Sequence, residues 1–173
     1  PPKKIPGIEP NTGAFGHGLS VAVRAALSLK KDKKKHRVFT LLGAGELFEE
    51  PVWEAATSAS KYNLDNLVVI IDRNKLQITG STEDINPIEA LSDKFESFGF
   101  NVQEAEGNSI ESLLNIFQNI PFQEGMPNMI IANTIKGAGI SFIENQVSWH
   151  HKVPTQEEFN LAIQELEENL KNA

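Results

Sequence analysis

The chain has 173 residues, no cysteine and a formal net charge of -7. That length buries one ordinary core, and the acidic balance argues against a general nucleic-acid or membrane-surface binder, whose footprint is basic. Without thiols there are no disulfides, thiolate nucleophiles or cysteine zinc sites.

A Pro/Gly-rich entry (1–18) precedes an alanine-rich, helix-periodic stretch over 19–31. Its closing run Lys30, Lys31, Lys33, Lys34, Lys35 reads as a solvated helix C-terminus rather than a binding patch. A strand is expected over 37–42, a helix over 52–61, and "LVVIID" (67–72) as a strand covered on both faces. A helix over 87–98 should end at Gly99, with a short strand over 101–105 and a helix over 110–120 capped by Ser109. "MIIANTI" (129–135) is another buried strand, and 155–169 a surface helix with acids early and Lys171 late. No apolar run approaches ~20 residues and nothing resembles a signal peptide, so the expectation is a cytoplasmic protein that binds neither membrane nor nucleic acid. The opening Pro1-Pro2, with no methionine, suggests missing upstream sequence. Residues 1–173 are therefore read as a single domain lacking its N-terminal part.

Strand alternating with helix predicts an α/β fold, a three-layer parallel sheet with helices on both faces. Ligands in such sheets bind outside the carboxyl ends of the strands. That rule selects Gly43-Ala44-Gly45, Asp72-Arg73-Asn74, Glu106-Gly107-Asn108 and Lys136-Gly137-Ala138-Gly139 as one rim.

Three stretches on this rim carry chemistry. "NTGAFGHGLS" (11–20) sets Gly13, Gly16 and Gly18 before a helix, where bare backbone N–H groups favour an anion, although such turns are as often structural. In "DRNKLQITGST" the Asn74 amide oxygen and the Leu76 carbonyl are hard oxygen donors suited to a divalent cation. An ordinary Asx turn accounts for the same asparagine. "NTIKGAGISFIENQVSWHHKVP" adds Lys136 and two glycines able to cradle phosphate, then His150 and His151, of which at most one is expected to serve the site. A zinc site there would need further close ligands.

Together "PGIEPNTGAFGHGLSVAV", "LLGAGELFEEPVWEAA", "NLVVIIDRNKLQITG" and "NTIKGAGISFIENQVSWHHK" resemble the diphosphate-binding domain of transketolase, over nearly the whole chain. The resemblance implies the thiamine diphosphate-binding fold, with thiamine diphosphate and Mg²⁺ or Ca²⁺ as cofactors. It also implies transfer of a two-carbon ketol unit between sugar phosphates. Gly13, Gly16, Gly43, Ala44, Gly45, Glu46 and Asn74 fall at cofactor positions, and Asn74 and Leu76 at metal ligands. His150 falls beside the cofactor's reacting carbon, and Glu49 and Glu54 at a subunit contact linked to the catalytic network.

Two departures qualify what the resemblance implies. The family's signature is Gly-Asp-Gly, and its acid is a metal ligand; this chain has Ala44 there. Glu50, Lys75 and His151 stand where the family generally has glycine, and Thr79 where it usually has an acid. The family's pyrimidine-ring domain is absent from these residues, so a pyrimidine-domain partner, in a homo- or hetero-oligomer, is expected. The alternative is a non-catalytic transketolase-like subunit that has lost metal and cofactor. Other thiamine enzymes, such as a deoxyxylulose phosphate synthase or a dehydrogenase E1 subunit, fit "ENQVSWHHK" less well.

Overall fold

A computed structural model describes residues 6–10 and 13–172, so the sequence motif's Asn11 lies outside the described residues. Helix α1 (His17–Lys31) leads into strand β1 (Val38–Gly43), then a 3-10 turn (Ala44–Phe48) and helix α2 (Glu50–Lys61). Strand β2 (Leu67–Arg73) is followed by a small hairpin, β3 (Leu76–Gln77) with β4 (Gly80–Ser81), and a one-turn helix α3 (Thr82–Ile85). Then come α4 (Leu91–Ser97), β5 (Asn101–Glu106), α5 (Ile110–Phe117), β6 (Asn128–Asn133), a 3-10 turn (Val147–His150) and α6 (Gln156–Asn172).

The main strands form one fully parallel sheet in the order β1-β2-β6-β5. Parallel pairing forces each connection across a face, and helices supply those crossovers. Strand pleating then divides the core in two. Val69 and Ile71 of β2, with Met129 and Ile131 of β6, pack under α1, α2 and α4; Val68 and Ile130 face α5, against Leu113, Ile116 and Phe117. Both faces of β2 and β6 are thus covered, which is why these strands read as unbroken apolar runs. Gly99, at φ 85, ends the α4 segment, and Ser109 caps α5 by accepting from Ser112 N–H at 3.2 Å.

Local structure departs from the sequence pattern in three places. The sequence pattern signals neither the β3–β4 hairpin nor α3, and α4 starts at Leu91 instead of 87. The delay has a cause: residues 88–91 spend N–H groups on side chains. Ile88 N–H donates to Glu83 and Leu91 N–H to Glu89, which holds the chain out of helical conformation.

Candidate functional site

Register aligns the carboxyl ends of the strands: Gly43 lies opposite Asp72, Arg73 opposite Asn133, and Asn133 opposite Glu106. The four loops expected to form one rim therefore leave the sheet at one edge.

The first wall is the turn after β1. Gly43 is extended, and the 3-10 turn that follows sends Ala44 and Leu47 into the core, leaving Ala44 2% exposed. The Trp53 indole N–H donates to the Leu47 carbonyl at 2.9 Å and the ring stacks on Phe95, with centroids 5.0 Å apart. The turn is thereby anchored to α2 and α4.

The loop entering α1 lies directly on this turn. Gly16 N–H donates to Glu46 Oε1 at 2.8 Å. Gly16 has φ 77, and a Cβ there would fall 2.5 Å from the Glu49 Cβ. Only glycine permits that approach. The Glu46 carboxylate thus holds the glycine loop in place, and Glu49 is the surface that the loop rests on. Among the described residues nothing lies within 4 Å of a Cβ built at Gly13 or Gly43, whereas one at Gly45 would press on the Gln77 side chain of β3. Glu54, also exposed, lies further along α2.

The second wall follows β2. Asn74 makes an Asx turn, its Oδ1 accepting from Leu76 N–H at 3.0 Å while its Nδ2 donates to Asp72 at 3.1 Å. Asp72 also accepts from the Thr134 hydroxyl, which ties this loop to the one after β6. Lys75, between Asn74 and Leu76, has φ 62, and its carbonyl accepts from Thr82 N–H at 3.0 Å. Behind it Arg73, 3% exposed, reaches Glu89 at 2.6 Å, Glu83 at 2.8 Å and the Thr82 hydroxyl at 2.8 Å. Sequence reasoning does not identify these partners. The alternation Val69, Ile71, Arg73 does place Arg73 on the core face, where a guanidinium must be paired. A cleft of about 220 Å³ opens beside it, lined by Lys75, Glu89, Ser92 and Asn133 among others.

The third wall follows β6. Gly137 turns at φ 75 with Ile143 so close that a Cβ would lie 2.4 Å from its Cγ2, and Gly139 N–H donates to Glu144 at 2.8 Å. The Val147–His150 turn packs beside Leu76–Gln77, bringing His150 to the second wall. Its ring meets that of His151 edge to face at 4.5 Å. Slight desolvation of this exposed ring, then the charges of Lys136 and His151, lower the His150 imidazole below its ordinary pKa. The folded chain therefore binds this proton less readily than the unfolded one, which favours the neutral imidazole, the form that can accept a proton. Titration of its ring by NMR should give a midpoint below the ordinary histidine value, and Lys136→Gln should raise it. An unshifted midpoint that ignores Lys136→Gln would separate His150 from the rim.

The donors at the rim sort cleanly. Open glycine backbone at Gly43 and Gly13 fits a diphosphate. A divalent cation does not fit. The position that the resemblance gives to its charged ligand holds the buried Ala44 methyl, and of the other two oxygens it implies, the Asn74 amide oxygen is already bonded to Leu76 N–H, which leaves the Leu76 carbonyl. Among the described residues no three His, Asp or Glu side chains are grouped to hold a metal ion. Mg²⁺ sheds water reluctantly and takes carboxylates or phosphates to replace it.

Parallel α/β domains bind their ligands outside the carboxyl ends of the strands, and here glycines line those ends. The family model for the transketolase thiamine diphosphate binding domain matches residues 1–169, and the chain belongs to that family. It is 50% identical over 165 residues to an apulose-4-phosphate transketolase subunit of Actinobacillus succinogenes, covering 95% of this chain and 59% of that protein. It is 43% identical over 171 residues to the protein of that name from Phocaeicola vulgatus, covering 99% and 61%. Among solved structures, transketolase from Campylobacter jejuni superposes with a TM-score of 0.84 at 27% identity, over 90% of this chain and 26% of that one. The chain thus spans about three fifths of the length of these curated relatives. No helix among the described residues is long and apolar enough to cross a membrane.

Proposed function

We propose that this chain is the diphosphate-binding part of a transketolase-type transferase of separate subunits. It would move a two-carbon ketol unit between sugar phosphates together with a pyrimidine-domain partner. The observation that carries the reading is the docking of the Gly16 loop on the Gly43–Glu46 turn, with the His150 turn closing the same rim. Two relatives are named as one subunit of a transketolase, which supports a partner. Thiamine diphosphate, when bound, supplies the electron sink that lets a carbon–carbon bond next to a carbonyl break.

This chain's own residues have simpler tasks. The Gly43 and Gly45 backbone and the Gly13–Gly16 loop receive the diphosphate, and Glu46 keeps that loop from moving away. Neutral His150 takes or returns a proton at the substrate oxygen. Glu49 and Glu54, both at the surface, face the partner. The sheet face is also open at β1, where Phe39 is 52% and Leu41 68% exposed, so apolar surface is available for association. A second reading, a protein that keeps the fold and interface without catalysis, rests on Ala44 alone.

Titrating thiamine diphosphate calorimetrically into the chain, with and without a pyrimidine-domain protein from the same source, separates the two. Saturable micromolar binding that strengthens with the partner is expected, alongside a heavier species in sedimentation. A strictly monomeric chain that takes up no cofactor in either mixture would favour the non-catalytic reading.

A further inference from the structure

The three walls of the rim meet at β3. The Gln77 side chain lies against Gly45, where a Cβ would come 3.2 Å from its Oε1, and Leu76–Gln77 packs beside the Val147–His150 turn. The turn that leads into β3 is strained. Lys75 has φ 62, a left-handed conformation that a residue with a Cβ rarely adopts and that persists only where its surroundings enforce it. The enforcing contact comes from behind the rim. Thr82, fully buried, donates its N–H to the Lys75 carbonyl at 3.0 Å, and its hydroxyl lies 3.4 Å from the same oxygen. That hydroxyl accepts from Arg73 Nη1 at 2.8 Å. Glu83 and Glu89 fix Arg73 in turn, while Asn74 Oδ1 closes the strained turn on the Leu76 N–H.

We propose that Arg73 is a positioning residue of this rim: through Thr82 it holds Lys75 in its left-handed conformation and so fixes the Asn74–Leu76 turn against the other two walls. Its effect on thiamine diphosphate rests on the reading that this is the ligand. A planar guanidinium serves Thr82 and two acids at once, whereas a lysine ammonium in its place keeps the charge without the fork. Once unclamped, Lys75 gains by leaving the left-handed region, and the turn then draws β3 away from Gly45 and from the His150 turn. Glycine at position 75 has no such gain, because without a Cβ both conformations are open to it. The dependence on Arg73 should therefore vanish with Lys75→Gly. It should survive Lys75→Ala, which keeps the Cβ and removes the ammonium near Glu89.

Amide hydrogen exchange tests this together with calorimetric titration of thiamine diphosphate, the pyrimidine-domain protein of the same source being present in the titration. Arg73→Lys should speed exchange at Leu76 and Thr82 by at least ~tenfold more than at Val69 and Ile131, which report opening of the sheet. It should also weaken thiamine diphosphate binding by about tenfold. Adding Lys75→Gly should bring both quantities to within about threefold of Lys75→Gly alone, and adding Lys75→Ala should not. Thr82→Val cuts the arginine from the turn and leaves its acids in place. It should act in the same direction, and it replaces Arg73→Lys if that variant does not fold. Equal acceleration at all these amides would make Arg73 a general stabiliser and overturn the proposal. So would a loosened turn with unchanged cofactor affinity, or effects that Lys75→Gly leaves in place. A parent chain that takes up no thiamine diphosphate removes the thiamine reading. The proposal then stands if exchange shows the local loosening and its recovery with glycine, and falls if it does not.

Discussion

Ala44→Asp should make the chain's thermal stability depend on divalent cations. The Ala44 methyl is 2% exposed, packed in the cluster that contains Leu42 and Leu47. A carboxylate introduced there loses water and meets no cation, a situation that costs about 3–5 kcal/mol when a buried charge lacks its partner. At roughly 2–4 °C per kcal/mol for a domain of this size, the melting temperature in EDTA should fall by about 10 °C. Mg²⁺ or Ca²⁺ with thiamine diphosphate should restore much of that loss, because the new carboxylate joins Asn74 and Leu76 as the missing charged ligand. Binding should rise by at least ~100-fold and become metal-dependent, which the parent chain should not be. A variant that melts like the parent would place position 44 away from the core. A drop with no recovery would mean that Glu50 and Lys75 close the space; adding Glu50→Gly and Lys75→Gly should then restore recovery. Failure of that triple variant would defeat the metal-site assignment at this turn.

Arg73→Met should be the most damaging single change behind the rim. The guanidinium is 3% exposed and donates to Glu89, Glu83 and Thr82, joining β2 to the segment that contains α3 and the start of α4. Methionine keeps most of the apolar stem but none of the donors. Glu83 and Glu89 are 37% and 53% exposed, so water takes over part of their solvation once the arginine is gone. The loss should therefore be about 2–3 kcal/mol, near the lower end for removing one side of a buried pair, or roughly 5–10 °C in melting temperature. Acid should reveal the same contact. The hydrogen bond from Arg73 holds the Glu89 carboxyl below the usual carboxylate range. Its contribution is fully present above that range and is lost as pH falls through the folded value. Stability measured against pH should lose this part of its acid limb in Arg73→Met. An unchanged limb would assign the acid sensitivity to other carboxylates, such as Asp65 with Lys30.

Sequence by itself determined the class of fold and picked out the strand ends at which the site is proposed. The apolar run 67–72 has the length and composition typical of a strand covered on both faces, and parallel order follows from helices between strands. Gly99 and Ser109 punctuate the chain through local backbone chemistry, which needs no distant residue. The Gly43-Ala44-Gly45 turn and Asn74 were selected by residue type and position at strand ends, whereas His150 was separated from His151 only by the resemblance to the family.

Tertiary structure decided how these parts meet. That Glu46 accepts from Gly16 thirty residues away, and that Glu49 limits position 16 to glycine, depends on where α1 lands on the turn. Helix α4 starts late because Glu83 and Glu89 capture N–H groups that local propensity assigns to a helix. The sequence reading set Arg73 on the rim; the structure buries it behind the rim, and its acids come from a segment whose path local pattern does not reveal. Local dihedral preference and period are properties of a few neighbouring residues, so they survive in the sequence. The partners of a buried charge or of a crowded glycine are set by packing between distant segments, so only the folded chain reveals them.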